Sequence, residues 1–206
     1  RSSAPAMRAA VAVARAALVA APRARVTRHV ARRALSSGAG AEDLVVLDYD
    51  DVKDAGADLR AEISRAYGYE GLGILAVRGV PGYAEARAAL LPLARRLALL
   101  PPDVKARLEN ADAFWNFGWS EGRELVDGKP DRSKGSFYAN PLHDAPFADS
   151  PELVRQHPSY CAPNLWPGDD LPELEPAFKA LARLIVGVGG HVAAHADRLG
   201  AAGLAR

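Results

Sequence analysis

One cysteine and one methionine occur in 206 residues, and no acidic residue precedes Glu42. Each scarcity excludes something. With Cys161 alone, no internal disulfide can form, and no Cys-rich zinc site can be assembled. No run of eighteen continuous uncharged apolar residues occurs, so no transmembrane helix and no membrane partner is expected. Lysine is missing from residues 1–41, which instead hold eight arginines. The remaining 18 basic residues stand against all 25 acidic ones, so the body of the chain has a net charge of −7. An acidic body excludes nucleic acid as an expected partner, because phosphate binding needs clustered positive charge.

What the arm contains reads as targeting. Residues 1–41 are rich in alanine and arginine, and Arg25, Arg28 and Arg32 share one face at helical spacing. The segment is expected to be a transit peptide, with translation starting at Met7 and residues 1–6 an artefact of the gene prediction. Arg32-Arg33-Ala34-Leu35-Ser36-Ser37-Gly38 resembles a mitochondrial processing site, and scarce serine favours mitochondrion over plastid. The other reading of such a charge run is an arm that binds RNA or anionic lipid.

After the arm, residues 42–206 have 49% hydrophobic content chain-wide to draw on for a core. Leu44–Asp48 is a short β-prone run. Val52, Ala55, Leu59, Ile63 and Ala66 recur at helical spacing and predict one amphipathic helix over 51–67. Leu72–Val77, flanked by Gly71 and Gly73, predicts a buried strand, and Pro81-Gly82 a turn. Leu90, Leu93, Leu97 and Leu100 form the stripe of a second helix, which Pro101-Pro102 stops; a short helix follows near 103–109. Residues 110–170 show little periodicity and hold Trp115, Trp119 and Trp166, so they are expected to wrap over other parts of the fold. From Leu174 to Leu199 one apolar stripe predicts a helix of about 25 residues, about 38 Å long. Its glycines, Gly187, Gly189 and Gly190, are expected to let a neighbour pack closely.

This order of elements resembles the N-terminal domain of the non-haem dioxygenases, the isopenicillin N synthase-like group of Fe(II)/2-oxoglutarate-dependent oxygenases. A short strand ending in Asp48 leads to a helix and then to Gly71–Pro81, which runs into Gly79-Val80-Pro81. A leucine-rich helix follows, ending at Leu100-Pro101-Pro102-Asp103-Val104-Lys105. The more specific matches are Gly118–Glu124, Lys134-Gly135-Ser136-Phe137-Tyr138-Ala139-Asn140-Pro141 and Asn164-Leu165-Trp166-Pro167. Arg78 departs from the pattern, since many members have His before the Gly-Val-Pro. The resemblance implies an α+β fold, a helical cap with short strands, and a small organic substrate. It implies Fe(II) and 2-oxoglutarate as cofactors, held by a two-His-one-carboxylate triad in a C-terminal jelly-roll. That half is expected to be missing here, so catalytic, cofactor and metal residues are expected in none of the 206 positions. Phe137, Tyr138 and Asn140 are the residues expected to face the substrate.

Several patterns imitate a site. His195-Ala196-Asp197 spells the metal motif of that family, but residues i and i+2 of a helix diverge by about 200°. His191 and His195 share a helix face, yet the zinc-protease pattern needs Glu after the first His, and Val192 is there. His143-Asp144 and His157 sit in proline-rich loops, where a surface role is expected. Gly187-Val188-Gly189-Gly190 follows no strand and lacks the Lys-Ser/Thr of a phosphate loop. Glu173 and Glu175 offset a helix dipole, and Cys161 is read as a small apolar residue. The alternative to an oxygenase fragment is a non-catalytic mitochondrial binding or scaffold protein that keeps only the cap.

Overall fold

The computed structural model describes residues 44–204. The expected transit peptide, residues 1–41, lies outside them. The described chain is mixed α+β: seven helices and six short strands in three two-stranded sheets, with no closed barrel among the described residues. It forms two compact units, one from residues 44–81 with 185–204, the other from Gly82–Leu184.

In the first unit, β1 (Val45–Asp48) pairs in parallel with β2 (Leu75–Arg78), Val45 opposite Leu75 and Leu47 opposite Val77. Alternation along β1 buries Val45 and Leu47 and leaves Val46 exposed. The single helix expected over 51–67 is two helices, α1 (Tyr49–Lys53) and α2 (Arg60–Tyr67). Asp54 ends the first: its Oδ1 accepts the Gly56 N–H at 2.8 Å, a local bond that competes with the helical one. The apolar positions survive the break, since Val52, Leu59, Ile63 and Ala66 join Val45 and Leu47 in one cluster. The strand after α2 is shorter than expected, because the glycines before it serve the turn. A Cβ on Gly71 would stand 2.5 Å from the Ala66 carbonyl oxygen, and Gly73 has φ +70°.

In the second unit, α3 (Tyr83–Ala98) begins earlier than its leucine stripe suggests and contains Pro92. Pro102 opens α4 (Pro102–Arg107), a position where a missing N–H costs nothing. The segment expected to be irregular holds β3 (Gly118–Glu121) antiparallel to β6 (Gly135–Tyr138). Between them β4 (Leu125–Val126) and β5 (Lys129–Pro130) form a hairpin turned by Asp127-Gly128, both at positive φ. Trp119 is buried with Leu93, Leu97, Leu108, Leu171 and Leu174. Gly135 is required beneath it, because a Cβ there would meet the indole ring at 2.2 Å. Two short helices, α5 (Pro151–Gln156) and α6 (Pro158–Cys161), follow.

The last helix, α7 (Leu174–Leu204), is 31 residues long. Gly187 and Gly190 face no close neighbour among the described residues: a Cβ on either would meet nothing within 4 Å. By length and composition, Leu174–Gly200 is also long and apolar enough to cross a membrane. An unbroken-run criterion misses this, because Glu175, Lys179, Arg183, Asp197 and Arg198 interrupt the stretch.

Candidate functional site

Two segments that carry the sequence resemblance meet in the second unit. Antiparallel pairing with β3 sets Phe137 opposite Trp119 and turns the chain toward Asn140. There the Asn164 side chain clasps the Asn140 backbone: the Asn140 N–H donates to Asn164 Oδ1 at 2.7 Å, and Asn164 Nδ2 donates to the Asn140 carbonyl at 2.8 Å. The Asn140 side chain is committed locally, its Oδ1 accepting from the N–H groups of Leu142 and His143. Phe137, Trp166 and Phe178 form an aromatic trio with ring centroids 5.5 to 6.0 Å apart. Edge contacts of this kind favour tilted rings over stacked ones.

Asp144 organises the polar side of the trio. Its Oδ1 accepts from Trp166 Nε1 at 2.8 Å and from Asn164 Nδ2 at 2.9 Å, and its Oδ2 from Lys179 Nζ at 2.6 Å. The ammonium of Lys179 also donates to Glu175 one helical turn earlier, at 2.5 Å, and lies 5.4 Å from the Trp166 ring centre. First Lys179, then the donors Trp166 and Asn164, hold the Asp144 carboxyl down at about 2. Lys179 is raised by the same partners, Asp144 and then Glu175, so its amine stays protonated and is no nucleophile. The arrangement is a charged brace that fixes an aromatic wall.

Behind the Asn164–Trp166 segment lies a cleft of about 270 Å³, walled by Val104, Leu108, Leu165 and Arg107. The Arg107 guanidinium donates to Asp170 at 2.8 Å, and so stands there already neutralised. A second, mostly apolar groove of about 460 Å³ is lined by Phe147, Val154 and Cys161. The Cys161 thiol is pushed up by burial, in keeping with an apolar role rather than a nucleophilic one.

Of the residues expected to face a substrate, Phe137 is in the trio, Tyr138 is half-exposed on β6, and Asn140 shapes the turn. His195 lies on a helix, as its spacing predicts, and both ring nitrogens are engaged. Nε2–H donates to the Val52 carbonyl at 3.0 Å, while Nδ1 accepts from Arg198 at 2.6 Å. Asp197 and His191 are exposed on the same helix. Among the described residues no three His, Cys, Asp or Glu side chains converge as a metal would require. The described donors therefore do not fit the iron that the sequence resemblance implies. Glu173 is bonded to Arg96 at 3.0 Å and Glu175 to Lys179, so neither is a free acid or base.

Asp144 and Lys179 are the pair that sequence reasoning missed. Only the Glu175–Lys179 spacing hints at one half of the brace. One further feature carries no motif: Phe114 and Trp115 both have positive φ, 53° and 54°. Trp115 is clamped between Arg123, 4.2 Å from its ring centre, and Glu109, which accepts its Nε1–H at 3.3 Å. Comparison with protein-family models, curated proteins and solved structures finds no match for the chain.

Proposed function

We propose that residues 44–199 are the N-terminal cap of an Fe(II)/2-oxoglutarate-dependent oxygenase of the isopenicillin N synthase-like group, acting on a small organic molecule in mitochondria. In this reading the cap supplies a wall of the substrate cavity and none of the iron ligands. One observation carries it. Two of the three more specific segments of the sequence resemblance, 134–141 and 164–167, lie 24 residues apart at Asn140 and Asn164, yet are clasped by two reciprocal hydrogen bonds and share the Phe137–Trp166 contact. A segment that binds substrate needs such support, because side chains on loops hold position only when their surroundings lock them. Tyr138, next on the same strand and 46% exposed, is open to a ligand on the other face.

Iron would come with residues outside the described donors. The test is the transcript that encodes Arg206, read past that codon. An open frame bearing His-x-Asp, a later His and an Arg is expected, and its product should consume 2-oxoglutarate when Fe(II) and O₂ are supplied. A frame lacking those residues would overturn the reading. It would favour a non-catalytic mitochondrial binding or scaffold protein, to which the full engagement of His195 and Lys179 is equally suited.

A further inference from the structure

We propose that His195 and Arg198 form an acid-released latch between the end of α7 and the end of α1, closed while the imidazole is neutral and opened by its second proton. The latch lies within the first unit. The last carbonyls of a helix have no partner inside it, and basic side chains can supply one. Here α7 supplies them to α1. His195 Nε2 stands 3.0 Å from the Val52 oxygen, and one Arg198 η-nitrogen donates to the Ala55 oxygen just past the helix. The other Arg198 η-nitrogen lies 2.6 Å from His195 Nδ1. A carbonyl can only accept and a guanidinium can only donate. Both contacts are satisfied by one form of the ring, with its hydrogen on Nε2 and a lone pair on Nδ1. A second proton would sit on Nδ1 and set N–H against N–H and cation against cation.

Burial gives that conflict its force. His195 is 4% exposed, and its helix neighbours Val192, Ala196 and Leu199 pack on the cluster of Val52, Leu59 and Ile63. Water does not screen the charges there, so protonation and opening are one event. Arg198 is exposed on its outer side and is the member that leaves, taking with it the bond to Ala55. The charged groups on the surrounding elements are otherwise placed. On the α1 side Lys53 is exposed and Asp54 accepts the Gly56 N–H. Asp58 is bonded by Arg60, which, with a smaller effect from the charge of Arg198, holds its carboxyl far below the usual range. It therefore stays ionised wherever an imidazole titrates. Asp48 and Arg78, across β1 and β2, bind each other through two hydrogen bonds. On α7, Asp197 and His191 are exposed. Imidazole is the side chain whose charge ordinarily changes between about pH 5 and 8, which sets the range over which the latch acts.

Amide hydrogen exchange on the full chain, corrected for the intrinsic effect of pH, tests this at about pH 7.5 and about pH 5.5. Protection of residues 52–59 and 194–199 is expected to fall about tenfold or more at the lower pH, while β3 and β6 keep theirs. His195→Gln, whose amide can still donate to Val52 but has no proton to gain, should abolish the difference. Arg198→Ala should give the low protection at both pH values, and His191→Gln should change neither. Nitrogen-15 spectra of the imidazole rings should show His195 protonated on Nε2 alone at the higher pH, and on both nitrogens as protection is lost. Equal protection of the unaltered chain at both pH values would overturn the proposal. So would a pH response that survives in His195→Gln. Should that variant fail to fold, a His195 ring that stays neutral while residues 52–59 open would overturn it equally. None of these readouts involves iron or 2-oxoglutarate, so they stand or fall apart from the oxygenase reading.

Discussion

Asp144 is where a single ionisation matters most to the aromatic wall. Its carboxyl is held near 2 by Lys179, Trp166 and Asn164, against 3.8 for an unperturbed aspartate. A depressed acid contributes stability above its unfolded value, and that contribution is lost as pH falls through the folded one. The brace should therefore weaken between about pH 4 and pH 2. Asp144 is 51% exposed, so solvent screening reduces its worth to about 1 kcal/mol. Asp144→Asn should lose about that much in urea unfolding at neutral pH and show a flatter acid limb below pH 4; an unchanged acid limb would refute it. Phe114 presents the opposite case. It sits at φ 53° with its side chain 70% exposed, so little packing offsets a conformation that L-residues avoid. Phe114→Gly should stabilise the protein by about 1 kcal/mol, and a loss in urea unfolding would show that the exposed ring contributes more than its strain costs.

At the scale of elements, glycine positions separate two kinds of requirement. Gly128 needs only its positive φ, since a Cβ there would meet open space, whereas Gly135 needs the volume under Trp119. Gly128→Ala should cost about 1 kcal/mol. Gly135→Ala should cost about 3 kcal/mol or more and alter the tryptophan fluorescence, because indole and strand must move apart. Equal costs would mean that Trp119 has room to yield. Much of this level was legible in the residues alone. Val52, Leu59, Ile63 and Ala66 mark their buried face whether the helix is whole or broken, and Leu174–Leu199 marks the last helix. What periodicity does not carry are bonds made by one side chain, such as Asp54 to Gly56, which divides α1 from α2. The Asp127-Gly128 hairpin did have a signal, two turn residues between short β-prone pairs, hidden by the loop-like composition around it. The candidate site was half legible: Phe137 and Asn164 lie in the motif segments, but only the fold brings Asp144 and Lys179 together.

For the whole molecule, what is left uncovered is the telling quantity. Leu72, Ile74, Leu91, Leu99, Leu125 and Tyr160 are each at least 41% exposed, and little of the Leu174–Gly200 stretch is fully buried. Apolar surface on this scale binds other apolar surface. The full chain should enhance the fluorescence of a naphthalene-sulfonate dye strongly under native conditions and lose solubility as concentration rises. A chain that melts cooperatively without binding dye would show these side chains to be scattered rather than contiguous. Targeting belongs to this scale too, since it rests on the contrast between an arm without acids and an acidic body. Residues 7–45 fused to a fluorescent reporter should carry it to mitochondria; a reporter that stays in the cytosol would remove the localisation from the proposal.

The lone thiol has a use of its own. Cys161 is only 6% exposed, with no second cysteine to confuse the signal. A disulfide reagent reaches so buried a thiol rarely, so the labelling rate under native conditions reports how often it is uncovered, and equals the opening rate only where reaction outpaces reclosing. The thiol stands in the wall of the apolar groove, so a molecule that settles into that groove should slow its labelling.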